Sequence, residues 1–171
     1  LSIQNPNYGI ISPIQFNYEG DDLEEYFKTF IKNNAALNLF TDVVLKKEID
    51  KLYEVPFIQA AVWLLPAKTI YEVGGFDPIF FHYGEDDNYC QRMKYHNYLI
   101  GIAPNVYAYH YGTKVDKTEE VKFSNKYFQN LEKKLKVKYA DINLDIQESI
   151  TKKMKLEIFK LILKNSIKLN F

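Results

Sequence analysis

The spacing of apolar and polar residues changes period several times along the chain, and each change marks an element. Tyr8 to Phe16 (YGIISPIQF) is almost continuously apolar, the pattern of a buried strand, with Pro13 near its end. Glu19-Gly20-Asp21-Asp22 then reads as a turn that opens a helix. Asp21 or Asp22 can serve as its N-cap, with Glu24 or Glu25 three residues on in a capping box. Leu23, Tyr26, Phe27, Phe30 and Ile31 follow at i, i+3, i+4, i+7 and i+8, one helical face, and Asn33-Asn34 ends it. Residues 36 to 54 keep no clear period, and Asp42 to Tyr53 reads as either helix or extended connector.

Val55 to Leu65 (VPFIQAAVWLL) has the pattern of a second buried strand. Pro66 suits the first position of a short helix through Val73, which Gly74-Gly75 stops. An aromatic loop over 76 to 85 leads into a helix from about Asp86 to His96, closed by Asn97. Tyr98 to Ala103 and Val106 to His110 read as two short strands around a Pro104-Asn105 turn. From Ser124 onward the pattern is helical and rich in lysine. The fold class expected is α/β.

Composition narrows the classes of function. The chain has 171 residues with 47% hydrophobic and 26% charged residues, values of an ordinary globular domain or a portion of a larger one. Formal net charge is zero, from 22 basic and 22 acidic residues, which argues against a wholesale nucleic-acid binder. The longest apolar run, Ala60 to Ala67, is eight residues, well below the ~20 of a membrane-spanning helix. A single cysteine, Cys90, leaves no internal disulfide and fits a reducing, cytoplasmic setting. Because the chain begins at Leu1 and not at Met, it is expected to be an excised portion.

The densest group of unusual residues is VGGFDPIFFHYGEDDNYCQRM, residues 73 to 93. Glu85, Asp86 and Asp87 stand together after a glycine, at a predicted helix start. Three adjacent like charges need water, the helix dipole or a cation. Asp86 or Asp87 can simply cap the helix. Equally, a carboxylate fixed at a helix start and walled by Phe80, Phe81, His82 and Tyr83 can act as a general base. Spacing alone does not decide between them.

This stretch resembles the C-terminal half of a family 2 glycosyltransferase, the large inverting group with the GT-A, Rossmann-like fold. The matching residues are Ala60-Ala61, then Val73-Gly74-Gly75-Phe76-Asp77, Phe80-Phe81, Glu85-Asp86-Asp87-Asn88 through Arg92, Tyr98-Leu99-Ile100, Pro104 and His110. The likeness runs from about Tyr8 to Gly112 and weakens towards Asn130. It implies a partial GT-A domain over 1–112 and a helical, lysine-rich extension over 113–171.

By that resemblance, Asp86 matches the base that deprotonates an acceptor hydroxyl, and Glu85 a residue that holds the acceptor. Trp63 and Tyr83 are the aromatic candidates for stacking on an acceptor sugar, against the ordinary role of such rings in a core. His110 matches the strand-terminal histidine that approaches a divalent metal, Mn²⁺ or Mg²⁺. Arg92, the only arginine among 22 basic residues, is expected to brace the motif by pairing with Asp77 or Glu85. Asp77, Gly74 and Gly75 are expected to shape the loop. The implied partners are a nucleotide-sugar donor and a saccharide or lipid-linked saccharide acceptor, in the assembly of polysaccharide.

There are departures from the family's pattern. Its second acid is Asn88 here, its glycine before Tyr98 is Asn97, and Tyr127-Phe128-Gln129-Asn130 lacks an arginine. The Asp-x-Asp that binds metal and sugar diphosphate has no counterpart before Tyr8. The chain is therefore expected to be the acceptor-side half, with the main metal ligands in an N-terminal half, and to bind donor poorly by itself. Two other readings stay open. One is a galactosyltransferase-type region, which Gly84-Glu85-Asp86-Asp87 also resembles. The other is a non-catalytic module that binds glycan or assembles with a partner.

The zero net charge conceals a division. Residues 114–171 carry 14 Lys against eight acids, a net +6, and residues 1–113 carry the compensating −6. Lys160, Lys164 and Lys168 form one stripe of the terminal helix. Such a stripe is ordinarily a solvated face, and alternatively the contact of a helix lying peripherally on anionic lipid, here the inner face of the membrane.

Overall fold

The computed structural model of the chain describes residues 4–32, 37–47, 50–80, 84–111, 124–139, 141–144, 155–160 and 163. The elements in chain order are β1 (Tyr8–Asn17), α1 (Glu25–Lys32), α2 (Leu37–Val44), β2 (Tyr53–Glu54), α3 (Ala67–Val73), α4 (Glu85–Tyr95), β3 (Leu99–His110) and α5 (Asn125–Tyr139). Residues 155–160 are helical as well. The fold is mixed α/β, with a three-stranded sheet of order β1-β3-β2. β3 lies at its centre, parallel to β1 and antiparallel to β2. A parallel pair needs a long crossover, and here all the helices from α1 to α4 lie between the two strands in sequence.

Ile10 of β1, Tyr53 of β2 and Ile100 and Ile102 of β3 are the sheet residues of the main core cluster. Against them α4 lays Tyr89, Cys90 and Met93, and Phe27, Leu39 and Ile58 close the remaining sides. Burying side chains of this size stabilises by about 1.5–3 kcal/mol each, before entropy is counted. Two hydrogen bonds at Gln91 tie α4 to the end of α5 and to the turn that follows it. Gln91 Nε2 donates to the Val137 carbonyl at 3.1 Å, and Asn143 Nδ2 donates to the Gln91 carbonyl at 2.8 Å. The boundary expected near residue 112 falls outside the described residues.

Four expectations from the pattern are corrected. First, Val55 to Leu65 is not one strand: the Val55 amide extends the β2–β3 pairing by donating to the Ile100 carbonyl at 2.9 Å, and Leu64 exchanges backbone bonds of 3.0 and 2.8 Å with Ile11 on the side of β1 away from β3. Pro56 offers no N–H, the Ala60 amide is engaged by Asp86, and no regular ladder forms. Second, the two strands around Pro104-Asn105 are one continuous strand. Pro13 pairs with Ala103 and Ile14 with Tyr107, so residues 104 to 106 bulge out of register while the strand continues.

Third, the region read as helix or connector divides differently: α2 begins at Leu37, and Tyr53 belongs to β2. The buried Asp42 joins the two. It accepts from Lys47 Nζ at 2.7 Å and from the Tyr53 hydroxyl at 2.7 Å, which hold its carboxyl well below the usual range. Fourth, neither Asp21 nor Asp22 caps α1. Glu24 Oε2 accepts the amides of Tyr26 and Phe27 at 2.8 and 3.0 Å, while Asp22 pairs with Lys28. The Glu24 amide donates to the Gln15 carbonyl at 2.9 Å, so the chain is pinned to β1 until Glu24 and turns helical only afterwards.

Candidate functional site

The first turn of α4 carries the acid triplet. Gly84 occupies the N-cap position with φ +98°, and a Cβ there would lie 2.7 Å from Val137 Cγ2, so both backbone and space require glycine. Neither Asp86 nor Asp87 is therefore the cap. The half-buried Asp86 accepts the Asp87 amide at 2.9 Å and also the amide of Ala60. Burial pushes its carboxyl above the usual range, and Glu85 adds to this, while the amides oppose it. Asp87 is pushed up to about 6, first by burial and then by the charges of Asp86 and Glu85. Glu85 Oε2 and Asn88 Oδ1 are buried without a hydrogen-bond partner among the described residues.

One helical turn further on, Arg92 braces the preceding loop. Its guanidinium donates to the Gly75 carbonyl at 2.7 Å and to the Val73 carbonyl, not to the carboxylates of Asp77 or Glu85 that the sequence suggested. The cause is the end of α3, where Gly74 at φ +84° turns the chain and leaves carbonyls without helical partners. The Tyr89 hydroxyl takes the third of them, donating to the Gly74 carbonyl at 2.9 Å. Asp77 Oδ1 accepts the Ile79 amide at 3.0 Å, which fixes the loop locally.

Trp63 stands against this brace. Its ring centroid is 5.9 Å from Phe76 and 5.8 Å from Tyr89, and Arg92 lies over the Tyr89 ring at 5.5 Å. Tyr89 and Asp86 are three residues apart and share a face of α4. Trp63 is only partly covered, and its Nε1 has no partner among the described residues. Tyr83 lies outside the described residues, as do Phe81 and His82.

His110 ends β3, opposite Asn17 of β1. Its Nδ1 is buried without a hydrogen-bond partner among the described residues, 3.9 Å from Glu24 Oε1. Glu24 is only 7% exposed, and its other oxygen accepts Gln59 Nε2 at 2.6 Å in addition to the α1 amides. Gln59 Nε2 also donates to Gln15 Oε1 at 2.8 Å. Since Ala60 follows Gln59, one short segment links the His110–Glu24 pair to Asp86. Glu24, Gln59 and Gln15 were missed as site residues. The signal for them was a glutamine in each of two apolar runs, since a buried amide needs partners.

Among the described residues, no three His, Cys, Asp or Glu side chains converge into a metal-binding group. His110 and Glu24 together offer one imidazole nitrogen and one carboxylate oxygen, a fit for part of a divalent ion's shell. Comparison of the chain with family models, curated proteins and solved structures finds no match.

Proposed function

We propose that the chain is the acceptor-side portion of an inverting, nucleotide-sugar-dependent glycosyltransferase of the GT-A type, with Asp86 as its general base. The observation that carries this reading is the setting of Asp86: a half-buried carboxylate with a raised pKa, held by the amides of Asp87 and Ala60. Burial strengthens it as a base relative to an exposed aspartate, and the amides fix its direction. In the reaction Asp86 takes the proton of an acceptor hydroxyl as that oxygen attacks the anomeric carbon. The bond to the diphosphate breaks on the opposite face, and its electron pair leaves with the diphosphate.

The other residues position. Glu85 and the open side of Trp63 bind the acceptor sugar, with Tyr83 as the second aromatic candidate for the same task. Stacking against Phe76 and Tyr89 keeps the indole from turning away. Arg92 and the Gly74-Gly75 turn keep the loop in register with α4. When bound, Mn²⁺ or Mg²⁺ supplies charge neutralisation for the leaving diphosphate. Of this chain's residues His110, with Glu24 beside it, would reach the ion, and a nucleotide-binding portion would hold it chiefly. A nucleotide-sugar donor fits a cytoplasmic reaction.

The test is calorimetry of the chain with nucleoside diphosphates in the presence of Mn²⁺, beside a saccharide panel. Saccharide binding that Trp63→Ala weakens, with no saturable nucleotide heat, is the expected result. Micromolar nucleotide binding near one equivalent would contradict the acceptor-side assignment.

A further inference from the structure

We infer that the C-terminal helical segment docks its outward face on an anionic lipid surface. Leu156, Phe159 and Leu163 are 51%, 55% and 45% exposed, large apolar side chains left in water. Their spacing of three and then four residues aligns them on one face of a helix. Among the described residues of the segment the two half-buried ones are Glu157 and Ile158, which point the other way. Glu157 fastens that side to α5, accepting Lys138 Nζ at 2.6 Å and the Tyr139 hydroxyl at 2.7 Å. The helix is thus tied down by one face and presents its apolar stripe outward.

Lys155 and Lys160, both exposed, flank the stripe on its two sides. Residues 152–171 contain six lysines against the single acid Glu157. An apolar stripe bordered by lysines matches the two layers of an anionic interface, with acyl chains below and phosphates at the rim. The same lysines count against a second copy of the chain, because a two-fold contact would set like charges against each other. No helix among the described residues is long and apolar enough to cross a membrane, so the geometry is that of a helix lying on the surface. The stripe that matters is therefore Leu156, Phe159 and Leu163, with lysines as its border and not its centre. This inference stands independently of the glycosyltransferase reading.

The experiment is co-sedimentation of the whole chain with phosphatidylcholine vesicles, with and without phosphatidylglycerol, at low and high salt. The chain is expected to pellet with the anionic vesicles only, and salt should release it. L156S/F159S should weaken binding about tenfold or more, and K155E/K160E about fivefold or more, with unchanged circular dichroism. The variant D86N should sediment as the parent does. Equal recovery in both supernatants would overturn the proposal, as would pelleting that neither double variant changes. Self-association lost in L156S/F159S, without vesicle binding, would assign the face to a second copy and overturn it equally.

Discussion

Replacing Asp87 by Asn removes one of three carboxylates from a single helical turn while keeping the size of the side chain. Burial and the neighbouring charges raise the Asp87 carboxyl to about 6 in the folded protein, against about 4 in an unfolded chain. A raised carboxyl costs nothing below the unfolded value, where both states are protonated. The full cost is present above the folded value, where the native state must hold the ion. Native stability from this source therefore falls as pH rises from about 4 to about 6.

Two units correspond to about 3 kcal/mol, but Asp87 is only half-buried, and solvent screening reduces this to about 1 kcal/mol. The α4 dipole favours the ion by about 0.5 kcal/mol, and burial outweighs it. Asp87→Asn should then raise the melting temperature at pH 7 by about 2–4 °C and leave it unchanged at pH 4. Thermal unfolding followed by circular dichroism at intervals between these values reads the difference directly. A variant less stable at pH 7, or one equally stabilised at both ends, would refute the electrostatic account of the triplet.

Other consequences can be checked in the same chain. Arg92→Lys keeps the charge but cannot span the Val73 and Gly75 carbonyls with a planar fork. It should cost about 1–3 kcal/mol by denaturant unfolding, whereas an unchanged midpoint would remove the brace from the argument. Cys90 is buried, and its thiol is pushed up to about 12. It should resist a thiol reagent at pH 8 until the chain is unfolded, and fast labelling of the native protein would contradict its place in the core.

The parts of the fold legible in sequence were those fixed by local chemistry. The strand over Tyr8 to Phe16 showed as an apolar run, and α4 was bracketed by glycine before and Asn97 after, which lies at φ +59°. What did not show depends on partners distant in sequence. Val55 to Leu65 has the composition of a strand, but the Ala60 amide goes to Asp86 and Gln59 bridges Gln15 and Glu24. Pro104 looked like a break between strands because a bulge that absorbs three residues leaves no mark in the hydrophobic pattern.

The candidate site divides in the same way. Local sequence left Asp86 between cap and base; the structure places Gly84 at the cap and leaves the Asp86 carboxylate to other partners. Arg92 was singled out as a brace, yet its carbonyl acceptors became identifiable only when α3 was seen to end beside it. Glu24 read as an ordinary helix-start acid, and nothing nearby in sequence announced His110, 86 residues later, as its neighbour.

The central claim concerns the chemistry of Asp86. It is tested most directly in a polypeptide that joins this chain to a nucleotide-binding portion, by measuring nucleoside-diphosphate release and sugar transfer for the parent and Asp86→Asn. Removing the base should lower turnover by about 10²–10⁴-fold, with donor affinity unchanged. Transfer by Asp86→Asn at the parent's rate would contradict the account.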